Sequence, residues 1–367
     1  MLTGAKSATL NIDLNNAIEV RDLTKYYGRP GKGVLAVDHI SFDVRQGEVF
    51  GFLGPNGAGK TTTQRMLTTL LEPTEGRIVI NGHDLAHDAY PVKRRTGLVP
   101  EESNVYAELT AWDNLMFTAQ LYRVPRAERA VRAQELLETF GLWEKWDVKV
   151  EDFSKGMRRR LSIAMAIIHQ PTLLFMDEPT PGLDAQSARA IRDLMRRLNA
   201  EGTTIFLTTH QIEEANQLCD RVAIIHHGQI AAIDTPERLK RAFQRVQSVE
   251  VALEPDGLEP PRVSEALKVS LAALPGVATS VKMGDKWRLY TEDPSALLPQ
   301  VMDYARSYGR RVVSLSTLGP SLEDVFLEIT GQQVGTVRHE TYNGRREFTG
   351  RGRRGRYVSG GGKGGRR

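Results

Sequence analysis

One run constrains this chain more than any other: Gly54-Pro55-Asn56-Gly57-Ala58-Gly59-Lys60-Thr61, set between the apolar segment Val49–Leu53 and the helical pattern Thr62–Leu71. The run fits G-x-x-x-x-G-K-[ST] and lies where a strand would hand over to a helix. Small glycines let successive backbone amides turn inward around a phosphate, and the following helix aims its positive end there. In that geometry Lys60 reaches the β- and γ-phosphates, and the Thr61 hydroxyl is placed to ligate Mg²⁺. Gly54, Asn56, Gly57, Gly59 and Thr62 complete the expected contact surface for a nucleoside triphosphate. A Gly-rich turn with an incidental lysine fits less well once a strand and a helix flank it.

Composition bounds the rest. The 367 residues give a soft prior of two domains, and 40% hydrophobic with 26% charged residues is globular usage. Cys219 is the single cysteine, which excludes a disulfide framework and makes a reducing compartment the expectation. No apolar stretch of secretory type opens the sequence, and runs such as Leu161–Ile168 fall far below the roughly 18 residues of a membrane span. The chain is therefore not expected to cross a membrane by itself. Residues 338–367 hold ten Lys and Arg against two Glu, a net of +8 within a total of +4, which leaves −4 on residues 1–337.

The fold class expected is α/β. Residues 1–242 read as a P-loop NTPase sheet with a helical insertion from about Leu109 to Trp146; the core strands are Val49–Leu53, Leu173–Met176 and Thr204–Thr208. Residues 243–331 read as a small α+β domain of order βαββαβ, ferredoxin-like, with Gly284-Asp285 as its hairpin turn. Residues 332–367 form a Gly/Arg-rich basic tail expected to be disordered. That tail reads either as a solvated appendage or as a segment for nucleic acid or anionic lipid headgroups.

Two further elements bear on chemistry. Asp177 and Glu178 end the apolar run Leu173–Met176. There Asp177 would serve Mg²⁺ through its water shell, and Glu178 would orient or deprotonate the attacking water; a helix cap before Pro179 is the plain alternative. Ser154 reads as the N-cap of a helix over about 157–169. Arg158, Arg159 and Arg160 fall in its first turn, where cations oppose the helix dipole and an incoming anion would offset the cost.

Together, the phosphate loop, the helical insertion, the Ser154-Lys155-Gly156 helix start and Asp177-Glu178-Pro179-Thr180 resemble the nucleotide-binding subunit of ABC transporters over roughly residues 18–242. The resemblance implies that Ser154 and Gly156 belong to the signature motif, with Lys155 and Met157 in place of the usual Gly and Gln. That departure is similar to exporter ATPases of the drug-resistance and sodium-efflux kind, as is the ending Gly319–Gly331. It further implies that Tyr27 stacks on adenine, Asp184 is the D-loop residue, and His210 contacts the γ-phosphate. A core tyrosine, a capping aspartate and a structural histidine are the respective plain alternatives. Glu101 stands where the family has Gln, and could ligate the metal while adding negative charge.

The implied function is an ATP-hydrolysing subunit of an ABC exporter. Two chains, a homodimer or a heterodimer with a related ATPase, would sandwich two Mg-ATP. Lys60 and Thr61 of one chain would face Ser154 and Gly156 of the other, and the dimer would drive a separate integral membrane permease. Its place would be cytoplasmic, peripheral on the inner face of the cell membrane. The competing readings are a soluble ABC ATPase acting on ribosomes or nucleic acid, and one driving a mechanical or signalling membrane partner.

Overall fold

The computed structural model describes residues 15–28, 33–242, 247–254 and 261–331; the basic tail lies outside the described residues. β1 (Asn16–Tyr27), β2 (Val34–Arg45) and β3 (Val49–Leu53) lead into α1 (Lys60–Leu67), β4 (Glu75–Ile80), β5 (His83–Asp84), α2 (Ala89–Arg95) and β6 (Thr96–Val99). Helices α3 (Ala111–Leu121) and α4 (Arg126–Thr139) occupy the insertion. Next come α5 (Lys155–Ile167), β7 (Leu173–Asp177), α6 (Ala185–Ala200), β8 (Thr204–Thr209) and α7 (Ile212–Leu218). The hairpin β9 (Arg221–His226) and β10 (Gln229–Asp234) precedes α8 (Pro236–Ala242). Last are β11 (Gln247–Leu253), α9 (Pro261–Ala272), β12 (Thr279–Met283), β13 (Lys286–Thr291), α10 (Pro294–Ser307), β14 (Val312–Leu318) and α11 (Leu322–Thr330).

The central sheet has the order β10-β9-β3-β8-β7-β6 and is parallel from β9 to β6. Every residue of β3, β7 and β8 is buried, as strands covered on both faces must be. Alternation divides them: Val49 and Leu53 face the helices, whereas Phe50 and Phe52 join Phe42, Phe175 and Phe206 on the other side. That second face is covered by the antiparallel sheet β2-β1-β4-β5. The last part is the antiparallel sheet β12-β13-β11-β14, the ferredoxin-like order, with its own core around Val249, Trp287 and Leu297.

α11 belongs to two neighbourhoods. Ser321 and Asp324 form its capping box, and Gly331 ends it in the left-handed region. Asp324 accepts from Arg288 and from the Tyr290 hydroxyl of β13, each at 2.9 Å. The apolar face of the same helix puts Leu322, Val325 and Phe326 into the core packed on the central sheet. The first helix is shorter than its apolar pattern suggests: α1 stops at Leu67 because Thr69 takes a φ of +60°. The amides of Leu70 and Leu71 then turn back to the Arg65 carbonyl, and Leu70 is left exposed.

His169, stacked on Tyr122 at 3.9 Å, donates from Nε2 to the Thr96 carbonyl at 3.0 Å. Burial holds its pKa down at about 4. The unfolded chain therefore binds the extra proton between about pH 4 and 6.5, so this side chain's contribution is full above pH 6.5 and is lost as pH falls. Urea unfolding of the wild type and His169→Gln should give a stability difference shifting by about 2–3 kcal/mol between pH 7 and pH 4.5. A pH-independent difference would contradict the burial effect.

Candidate nucleotide site

Parallel register assembles the site. Leu53 lies opposite Thr209, and Asp177 lies opposite Thr208, so the ends of β3, β7 and β8 meet at one edge of the sheet. The phosphate loop leaves β3 there and needs its glycines. Gly59 has a φ of +108°, and a Cβ on it would stand 2.6 Å from the Ala36 carbonyl; a Cβ on Gly54 would stand 2.5 Å from that of Ile225.

Asn56, Gly57, Gly59, Lys60, Thr61, Thr62, Glu101, Glu178 and His210 line one cavity of about 220 Å³, together with Ala36. Lys60 is buried, and its Nζ donates to the carbonyls of Gly54 and Pro55 at 2.8 and 3.2 Å. It also stands 3.5 Å from Oε1 of the buried Glu178. Glu178 Oε2 meets His210 Nδ1 at 2.9 Å. The Glu178 backbone sits at a φ of +45°, a strained position for a residue with a side chain. No helix begins at Asp177 and Glu178, so the capping alternative does not apply: the residues up to Asp184 form a turn. Asp177 is buried and accepts a hydrogen bond from the Thr208 hydroxyl. Tyr27 is 41% exposed with its hydroxyl 3.5 Å from that of Thr62, so it is not a core residue.

Ser154, Gly156 and Asp184 do not line this cavity. Ser154 caps α5 by accepting from the Met157 amide at 3.2 Å. Asp184 caps α6 by accepting from the Ser187 amide at 2.8 Å, and that bond holds its carboxyl below the usual range. The two caps are neighbours, since a Cβ on Gly156 would stand 2.7 Å from Ser187 Oγ.

Comparison with known proteins settles the kinship. The family model described as ABC transporter matches residues 37–181. The linearmycin resistance ATP-binding protein of Bacillus subtilis is 34% identical over 319 residues, covering 86% of this chain and 99% of that protein. The chain belongs to the ABC transporter family. It is an ATP-binding subunit of that family, an ABC ATPase. The Nod factor export ATP-binding protein I of Cupriavidus metallidurans is 36% identical, covering 86% of this chain and 98% of that protein. A solved dimeric post-hydrolysis ATP-binding cassette bound to ADP and Pi is similar at 26% identity and a TM-score of 0.55, covering 59% of this chain and 98% of that one.

Within this ABC subunit, two features depart from what the sequence suggests. α5 starts at Lys155, two residues before the expected start, so Arg159 and Arg160 fall beyond its first turn, and all three arginines donate to carbonyls of the same chain. Arg158 donates to the Glu151 carbonyl, Arg160 to that of Phe140, and Arg159 to a ring of carbonyls described below. The second feature is a pair of contacts that motif reading does not give: Thr208 holds Asp177, and Thr180, the last residue of the Asp177–Thr180 motif, holds Glu214. The Thr180 hydroxyl donates to Glu214 at 2.7 Å, and burial raises the carboxyl of Glu214. Thr208 carries no motif signal of its own, and the register of β7 with β8 is what sets it opposite Asp177. A larger cavity of about 590 Å³ lies between α7 and the β14–α11 junction; of the residues expected at the phosphate site, His210 alone lines it. Among the described residues no helix is long and apolar enough to cross a membrane.

Proposed function

We propose that this ABC ATPase is one half of a dimeric exporter motor that binds two Mg-ATP and drives a separate integral membrane permease. The observation that carries the reading is a division of labour within the chain. Lys60, Thr61, Glu101, Glu178 and His210 face one cavity, whereas Ser154 and Gly156 stand outside it on the start of α5. A nucleotide held by the first group has no signature helix unless a second ATPase chain supplies one.

In this reading Lys60 gives up its loop carbonyls for the β- and γ-phosphates, as the charge-assisted bond is the stronger. Gly54, Asn56, Gly57, Gly59 and Thr62 frame the phosphates, and Tyr27 offers its exposed ring to adenine. Ser154, Gly156 and Asp184 face the neighbouring chain. Thr61, Asp177 and Glu101 suit Mg²⁺: they are hard oxygen donors, and among the described residues no three metal-ligating side chains converge into a cage. Mg²⁺ characteristically binds through one or two carboxylates plus substrate phosphates, and when bound it neutralises charge developing on them. Glu178 orients the water, and His210 steadies that carboxylate and reaches the γ-phosphate.

Residues 1–242 would be the motor and residues 243–331 an appended domain tied to it by α11. The subunit would sit on the inner face of the cell membrane, since a permease must supply the span. The test is recovery of the tagged full chain from detergent-solubilised membranes. An integral membrane protein held in fixed ratio supports the proposal. Recovery with ribosomes and no membrane protein would overturn it.

A further inference from the structure

Arg159 lies in the second turn of α5, five residues past the Ser154 N-cap, and it is only 4% exposed. A buried arginine there needs a full set of acceptors. Its Nε donates to the Pro179 carbonyl at 3.1 Å, and its Nη2 to those of Asp177 and Glu178 at 2.8 and 3.0 Å. Its Nη1 donates to the carbonyls of Pro100 and Glu101. Burial lowers its pKa to about 10, while Asp177, Glu214, Glu101 and Glu178 favour the charge.

One planar group thus joins three segments: the start of α5, the turn after β6 that carries Glu101, and the turn after β7 that carries Glu178. Glu101 and Glu178 line the phosphate cavity. Ser154 and Gly156 stand at the start of the same helix, in the turn before Arg159. The Glu178 backbone is held on both sides, its amide donating to the Thr208 carbonyl at 3.1 Å and its carbonyl accepting from Arg159.

We propose that Arg159 is a positioning residue for hydrolysis, linking the helix start that clasps the neighbouring chain's nucleotide to the two backbone segments that aim Glu101 and Glu178. The inference rests on the dimeric reading above. Arg159 touches no nucleotide; it acts through the Glu178 and Glu101 backbones. When a γ-phosphate seats against Ser154 and Gly156, the movement of that turn is passed by the guanidinium to the water-orienting carboxylate of the same chain. A lysine supplies charge from a single point and does not reproduce the fork.

The test measures MgATP turnover, KM, nucleotide-binding stoichiometry and melting temperature for the full chain and for Arg159→Lys, Arg159→Gln and Glu178→Gln. Arg159→Gln should bind nucleotide with wild-type stoichiometry and a KM within about threefold, while kcat falls by at least about tenfold; Arg159→Lys should fall between. Unchanged stoichiometry separates lost aim from a partly unfolded sample. Folded Arg159→Gln with kcat within twofold of wild type would overturn the inference. If Arg159→Gln does not fold, the same result in Arg159→Lys would overturn it. Loss of nucleotide binding in both would make Arg159 a scaffold residue and equally overturn it. Wild-type turnover in Glu178→Gln would instead strike the functional reading on which the inference rests.

Discussion

Glu178→Gln is expected to bind ATP, to lose turnover by about 10²- to 10⁴-fold, the usual worth of a positioned general base, and to accumulate an ATP-dependent dimer. The geometry explains why binding survives. The glutamine oxygen still meets His210, which lies 2.9 Å from Oε2 in the wild type. The neutral amide also releases Lys60, now 3.5 Å from Oε1, to the phosphates. What is lost is the anion that can take or orient a proton of water. With hydrolysis blocked, the nucleotides go on bridging the two chains, because only conversion to ADP and phosphate removes their differential hold on the closed state. Phosphate release and size-exclusion chromatography in ATP check both halves. Residual turnover near the wild-type rate would remove Glu178 from the mechanism.

Lys60→Ala should weaken ATP binding by about 10- to 100-fold, from the loss of a charged hydrogen bond of about 1.5–3 kcal/mol. The side chain is buried and already directed at the loop carbonyls of Gly54 and Pro55, so little entropy is lost when it turns to phosphate. The same change also strips the buried Glu178 of the ammonium that stands 3.5 Å from its Oε1, a contact that helps hold the carboxylate in place. Turnover at saturating ATP should therefore fall as well. Equilibrium titration with a fluorescent ATP analogue reads the first effect; an unchanged Kd would contradict the phosphate-loop assignment.

The two variants test a site that was legible in the sequence to an uneven degree. The phosphate loop, the Asp177-Glu178 pair and the Ser154 cap are short runs whose chemistry is carried by consecutive residues, and local spacing suffices to find them. Helix ends are harder. The pattern through Leu70 and Leu71 continues apolar, yet Thr69 turns left-handed and closes α1 early. The arginines of α5 were visible, but their acceptors were not. The carbonyl of Pro100 lies 59 residues from Arg159 along the chain, and a carbonyl has no residue type to recognise.

By itself, then, the sequence determined the βα phosphate loop, the alternation of buried strands with helices, the βαββαβ order of the last part, and which residue types were available to hold a triphosphate. Tertiary structure alone decided three things. Parallel register brought Lys60, Glu178 and His210 to one sheet edge. The interior of the chain, not an outside anion, satisfied Arg159. And α11, tied to β13 through Asp324, set its apolar face into the core of the central sheet. Periodicity says which face of an element must be buried, but the partner it meets depends on contacts between residues far apart in the chain, and no local pattern records them.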